Sequence, residues 1–500
     1  MFVDAREIPS ATSVEFEVCV VGSGAAGIAL AREFAGDGYR VCLFEGGGFE
    51  FDEDTQELYS GKSSGLSIRL ESERQRSFGG TTNLWGGYCR PYDEEDFEEF
   101  SYVPHSGWPF RRSELEPYYQ RAHKLCRLGP FDYDISTLSA QLKCPIPFNN
   151  DRLKTKFFRL VPSEPVDWRR FGSAHRGEVE KARNIKTFLF SNVTRLDLSN
   201  NGRSVTSVQV STLAGNKFSV SAKIFVLATG GIENARLLLL PNNIDTRGTG
   251  NQHDLVGRYF MAHLQIMAAD FFPSPSCPMQ LFQNKCDRSL TGWAGQFVPI
   301  LYLDPKFRRS ERLLNFTQEL SQITDKDVAE DSVLAQLRQL LWGPANEGTA
   351  TPVFRLESAF EVAPNPRSRV TLSGQRDRFN NPLADVDWQL TSLDRDSLRR
   401  TYEILAREVG RAGLGRLKLK SVDEIIDRGD YWSQHHHMGT TRMHDDPKKG
   451  VVDQNCKVHG VDNLFLAGSS VFPTSGSATP TLTIVALAMR LADLVKDRLR

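Results

Sequence analysis

Apolar and polar positions change period three times between residues 16 and 45. The run FEVCVV (16–21) is β-rich and almost wholly apolar, as a strand covered on both faces would be. A glycine turn follows, then IALAREFA (28–35) with apolar residues at helical spacing, then the short run VCLF (41–44) ending at Glu45. Strand, turn, helix and second strand form a βαβ unit of the expected size. Two distant segments carry part of the same pattern. SAKIFVLATGGIENARLLLLP (221–241) reads as a buried strand, a glycine turn and a helix start, and VDNLFLAGSSVFPT (461–474) as a strand ending in small residues. In both, small residues let the backbone approach a neighbour closely. Between about 260 and 430, segments such as FRLESAFEVAPNPRSRVTLS (354–373) alternate instead, which predicts antiparallel strands half exposed on one face and a separate sheet-based domain. Finally, SGSATPTLTIVALAMRLADLV (475–495) predicts a turn feeding a helix, with Thr479 as N-cap and Pro480 at the first helical position.

A chain of 500 residues with 40% hydrophobic and 25% charged composition can bury a large core split into two domains. Its 61 basic and 62 acidic residues leave a net charge of -1, so global charge points to neither nucleic acid nor an anionic membrane. A small neutral or modestly charged ligand is expected. The eight cysteines lie scattered without a C-x-x-C pair, so reduced, partly buried thiols are expected. The stretch MFVDAREIPSATSVEF has no apolar core or paired arginines, and no apolar run approaches the roughly 18 residues of a membrane span, which predicts the cytoplasm. DEEDFEEF (93–100) reads as a solvated acidic face. The absence of a G-x-S-x-G elbow speaks against an α/β-hydrolase route.

Gly22, Gly24 and Gly27 spell G-x-G-x-x-G within the βαβ unit. Such glycines permit a tight turn, backbone approach to a pyrophosphate, and packing of helix on strand. Glu45 follows Gly27 by 18 residues, where a carboxylate accepts from a ribose diol and repels a 2′-phosphate. NADP is thereby disfavoured, while FAD and NAD both remain open. The triplet His435, His436 and His437, with His444, Asp445 and Asp446 nearby, raises a metal. Adjacent residues converge poorly on one ion and no complete ligand spacing is present, so no metal is expected.

Taken in order, the glycine fingerprint, SFGGTTNLWGG (77–87), VLATGGIENARLLL (226–239), VGRYFMAH (256–263), HHMGTTRM (436–443) and NLFLAGSSVFPTSGSATPTLTIVALAMRLAD (463–493) resemble the glucose-methanol-choline (GMC) oxidoreductases. Within them they are most similar to the bacterial sugar and polyol dehydrogenases and the pyranose oxidase-like group. The resemblance covers both ends of the chain, while roughly 264–430 matches only in general pattern. It implies an α/β protein with a Rossmann-like, discontinuous FAD-binding domain (1–130, 176–260 and 430–500) and a second, antiparallel-sheet substrate-binding domain (131–175 and 261–429). It implies FAD held by Gly22, Ser23, Gly24, Ala25, Ala26, Gly27, Glu45, Gly46, Gly79, Gly80, Asn83, Leu84, Trp85, Gly87, Val193, Ala228, Gly468, Ser469, Thr481 and Leu482. Some members carry a flavin-linking histidine where this chain has Leu84, so the FAD is expected to be noncovalent.

The resemblance also implies the chemistry. The family base lies in H-x-x-G-T, and counting back from Gly439 and Thr440 selects His436, with His435 and His437 pointing elsewhere if the stretch is extended. His436 would take the hydroxyl proton of a sugar, glycoside or other polyol while hydride passes to flavin N5, with oxygen or another acceptor completing the cycle. Thr479 stands where the family usually has asparagine or histidine. Its short hydroxyl can cap the helix or touch substrate, and capping is the expected main role. The rivals are a flavin-bound lyase without net redox and a flavin-binding protein without catalysis.

Overall fold

The computed structural model describes residues 1–283, 296–342 and 352–500. Strand Ser13–Val21 lies near the middle of an eight-stranded sheet, parallel to Val41–Phe44 on one side and to Lys217–Leu227 on the other. Val18, Cys19 and Val20 have no exposed surface, because helices cover the sheet, and this is why the run is apolar without alternation. Helix Ala25–Glu33 returns the chain between the first two parallel strands and packs against helix Thr481–Leu499. Ile185–Leu189 and Phe2–Asp4 extend the parallel part, Leu464–Leu466 joins it beside Lys217–Leu227, and Val205–Ser211 and Asn192–Leu198 add an antiparallel edge.

A second sheet of seven strands is antiparallel throughout, in the order Gly415–Leu419, Leu264–Pro273, Phe354–Phe360, Phe316–Gln322, Phe297–Leu303, Leu153–Leu160 and Tyr88–Cys89. A third, of Arg369–Arg376, Pro382–Trp388 and Ser63–Gly65, lies apart from it. The alternating run 354–373 therefore feeds two different sheets. One apolar core runs through all three. Among the described residues no helix is long and apolar enough to cross a membrane.

Two sequence expectations are corrected here. Three of the eight residues of DEEDFEEF are buried: Glu95, Asp96 and Phe97 have at most 6% exposure. Glu95 pairs with Arg308 at 2.7 Å, Asp93 with Lys156 at 3.0 Å, and Phe97 packs on Trp108. Arg90 pairs with Asp93 locally at 3.1 Å, but Lys156 and Arg308 lie more than 60 residues away in sequence, so local charge density could not reveal them. The thiols also differ from expectation. Cys19, Cys42, Cys89, Cys126, Cys277 and Cys456 are free and buried, but Cys144 is disulfide-bonded.

Candidate active site

The first glycine turn opens onto a cavity of about 670 Å³. Gly22 (φ 102°) and Gly27 serve contacts within the protein: a Cβ on Gly22 would stand 2.6 Å from the Ala228 carbonyl oxygen, and one on Gly27 1.8 Å from that of Gly22. Gly24 is different, because nothing lies within 4 Å of where its Cβ would be. Its backbone faces the cavity at the start of helix Ala25–Glu33, whose first N–H groups have no side-chain cap. They are free to bind an anion. Glu45, 6% exposed, follows the second strand and accepts from Ser23 Oγ at 2.6 Å and the Gly47 N–H at 2.9 Å, leaving lone pairs toward the cavity.

Of the residues expected to hold FAD, Gly22, Ser23, Gly24, Ala25, Ala26, Glu45, Gly46, Gly80, Leu84, Trp85, Gly87, Val193, Ala228, Gly468, Ser469 and Thr481 line this cavity. Four stand behind its wall. Gly27 abuts Gly22, Gly79 (φ 103°) abuts Gly172, the Asn83 amide donates to Ser77 Oγ and the Phe78 carbonyl, and Leu482 is buried inside its helix packing. These four shape the wall rather than touch its contents. The cavity fits a dinucleotide: helix Thr481–Leu499 also begins at it without a side-chain cap, and Arg76, at its edge, keeps a buried Nε with no hydrogen-bond partner among the described residues.

Strand alternation builds the opposite wall. Thr317 and Glu319 face the cavity from Phe316–Gln322, while Phe316, Gln318 and Leu320 turn away. Cross-strand register places Glu357 beside Glu319 and Ala359 beside Thr317, and Gln265, Ile300, Phe158 and Tyr88 complete the same face.

His436 enters from a loop whose geometry is fixed twice over. The loop is a turn and not extended, so the condition for His435 and His437 to point elsewhere is not met and both line the cavity with His436: the His436 N–H donates to the Ser433 carbonyl at 3.2 Å, and Gln434 and His435 hold left-handed backbone at φ 51° and 59°. Such backbone costs about 1 to 3 kcal/mol per residue, so neighbouring bonds must hold it. Ser433 Oγ and His437 Nε2 both bond Glu73, the latter at 3.2 Å. Burial opposes ionisation of Glu73, but these bonds hold its carboxyl down at about 2.

A pair of rings then sets the protonation of His436. His263 Nε2 lies 3.1 and 2.9 Å from the carbonyl oxygens of Ser475 and Gly476, which can only accept, so this nitrogen carries the proton. Burial pushes His263 down to about 4, and it is neutral near pH 7. Its Nδ1 is then an acceptor, 2.9 Å from His436 Nδ1, which must donate. Burial and the adjacent histidines also hold His436 well below 6.5. Its remaining nitrogen, Nε2, bears a lone pair, has no hydrogen-bond partner among the described residues, and belongs to a side chain lining the cavity.

Thr479 lines the same cavity but does not cap the helix. The N-cap is Pro480, which has no N–H, and the Thr479 hydroxyl donates to the Tyr88 carbonyl at 2.6 Å. The turn thus ties to the edge strand of the antiparallel sheet. Sequence reasoning assigned no role to His263, although it ends the quoted VGRYFMAH, nor to Glu73, Gln265, Glu319 or Glu357. The only signal for the last three was strand alternation.

A family model described as GMC oxidoreductase matches residues 364–488. The chain is 26% identical over 475 positions to the fructose dehydrogenase large subunit of Gluconobacter japonicus, covering 85% of this chain and 81% of that one. It is 24% identical over 546 positions to 6'''-hydroxyparomomycin C oxidase of Streptomyces lividus, covering 98% and 93%. Its fold is similar to the crystal structure of pyridoxine 4-oxidase from Mesorbium loti, with a TM-score of 0.60 and 19% identity over 96% of this chain and 98% of that one.

Proposed function

We propose that this chain, which belongs to the GMC oxidoreductases and is an FAD-dependent oxidoreductase acting on CH–OH groups, oxidises a hydroxyl of a sugar, glycoside or related polyol with His436 as the base. One observation carries the role of His436. Two backbone carbonyls fix the tautomer of His263, His263 fixes that of His436, and the unbonded Nε2 lone pair is left for a substrate hydroxyl. His436 takes that proton as the carbon–oxygen double bond forms. FAD, when bound, would supply the acceptor for the hydride that leaves the substrate carbon. The open face of Gly24 and the first turn of helix Ala25–Glu33 hold the pyrophosphate, and Glu45 the ribose. Leu84 has no nucleophilic atom, so the cofactor stays noncovalent.

Thr479 has a lesser part in this reading. Its proton is committed to Tyr88, so toward a substrate it offers only an acceptor and cannot steady a developing alkoxide. The parallel-sheet segments (1–130, 176–260 and 430–500) form the FAD domain of this reading, and 131–175 with 261–429 the substrate domain. The disulfide at Cys144 fits an oxidising compartment better than the cytoplasm. Mixing the yellow holoenzyme anaerobically with sugars, glycosides and polyols tests the function. At least one is expected to bleach the flavin with formation of a carbonyl product, and a holoenzyme that no alcohol reduces would overturn it. Admitting air afterwards tells an oxidase from a dehydrogenase.

A further inference from the structure

Glu319 and Glu357 sit directly opposite each other on antiparallel strands and line the cavity together. Side chains so placed are about 5 Å apart at Cβ, and like charges there oppose folding. Neither carboxylate forms an ion pair with any described residue. Burial and the neighbouring Glu357 push Glu319 up to about 7, and the same two carboxylates, after burial itself, push the facing Tyr88 hydroxyl up to about 12. Beside them Thr317, only 5% exposed, also lines the cavity, and its hydroxyl has no hydrogen-bond partner among the described residues. Any partner for that hydroxyl reaches it through the cavity. The pair is also joined to the base loop. The Gln265 amide donates to Glu357 at 3.4 Å and its oxygen accepts from Gln434 at 3.0 Å, two residues before His436.

Two carboxylates and a hydroxyl, converging on one cavity wall with no cation supplied by the described fold, match the three donors of an ammonium group. We propose that Glu319, Glu357 and Thr317 receive an amino group of the substrate, so that the alcohols preferred by this enzyme are amino sugars or similar amino alcohols. This rests on the oxidoreductase reading above and names its substrate class. The ammonium would sit against the antiparallel wall while a hydroxyl elsewhere on the same molecule meets His436.

The test uses the FAD-loaded enzyme with glucosamine, galactosamine and mannosamine, each beside its N-acetyl form and its parent hexose. Binding is read by calorimetry and reduction by anaerobic bleaching. The free amines are expected to bind about 10- to 100-fold more tightly than both neutral forms, the scale of a charge pair in a partly buried site. Glu319→Gln and Glu357→Gln should each shrink that ratio and the double variant bring it to near one, with flavin absorbance per chain unchanged. Equal binding of amine and neutral forms to the unaltered enzyme, or a preference that survives the double variant, would overturn the proposal. Bleaching by neutral sugars without an amine preference sinks this inference and leaves the oxidoreductase reading intact. An amine preference without bleaching by any alcohol does the reverse.

Discussion

The glycine-turn wall of the cavity takes its groups from short consecutive stretches, Gly22 to Ala26, Glu45 with Gly46, and Leu84 to Gly87, whereas the antiparallel wall takes one or two from each of several strands. The reason lies in what each wall must do. A pyrophosphate and a ring edge are met by backbone, which demands small residues in sequence and turns at fixed places. A substrate is met by side chains on a pleated surface, where only every second residue faces the cavity and neighbours in space come from different strands. The first wall is therefore dictated locally, and the second exists only after the sheet has formed.

If that contrast is right, the largest effects come from the glycine turn. Gly27→Ala puts a methyl group 1.8 Å from a carbonyl oxygen and should abolish recovery of folded, yellow protein. Gly24→Ala meets no protein atom, so its chain should fold, by circular dichroism and melting, yet purify with little flavin. A Gly24→Ala chain that keeps its full flavin content, or a Gly27→Ala chain that folds normally, would break the distinction between packing and cofactor-facing glycines.

The base should come next. His436→Ala is expected to keep its flavin and lose about 100-fold or more in anaerobic reduction rate, the scale of a lost general base. Because burial holds His436 well below 6.5, the rate should stay level as pH falls through 6.5 and drop only at lower pH, where Nε2 gains a proton. His263→Leu removes the acceptor that fixes the tautomer, so it should slow reduction about 10-fold, with His263→Asn recovering part of the loss through its amide oxygen. Single-turnover traces from pH 4.5 to 9 would check all three, and a midpoint near 6.5 would contradict the buried pair.

Thr479 should matter least. Thr479→Val loses the bond to the Tyr88 carbonyl and should cost about 0.5 to 1.5 kcal/mol in stability, while reduction per flavin-bound molecule changes by less than about 3-fold. A collapse of the rate in a stable variant would move this residue into the chemistry.

What could be read from sequence follows the same division. The βαβ unit, Glu45 at the end of its strand and the run 221–241 were legible because periodicity and glycine spacing are local, and the fold bears them out. The helix at 475–495 was legible too, but its start was read one residue early, since a threonine before proline has the form of a cap whether or not its hydroxyl is taken elsewhere. His263 stood in plain view without a role, because what makes it matter is a carbonyl pair 212 and 213 residues away. The acidic stretch at 93–100 misled for the same cause, since Lys156 and Arg308, which pair with Asp93 and Glu95, arrive from remote segments.

The site draws Gly22 and His436 together across more than 400 residues of chain. At a synthesis rate of 5 to 20 residues per second, the glycine turn leaves the ribosome about 20 to 80 seconds before its histidine exists. During that interval the parallel sheet also lacks Leu464–Leu466, and helix Ala25–Glu33 lacks the helix Thr481–Leu499 that covers it. A nascent chain of this protein thus carries an uncovered apolar face until its last strand and helix have been made.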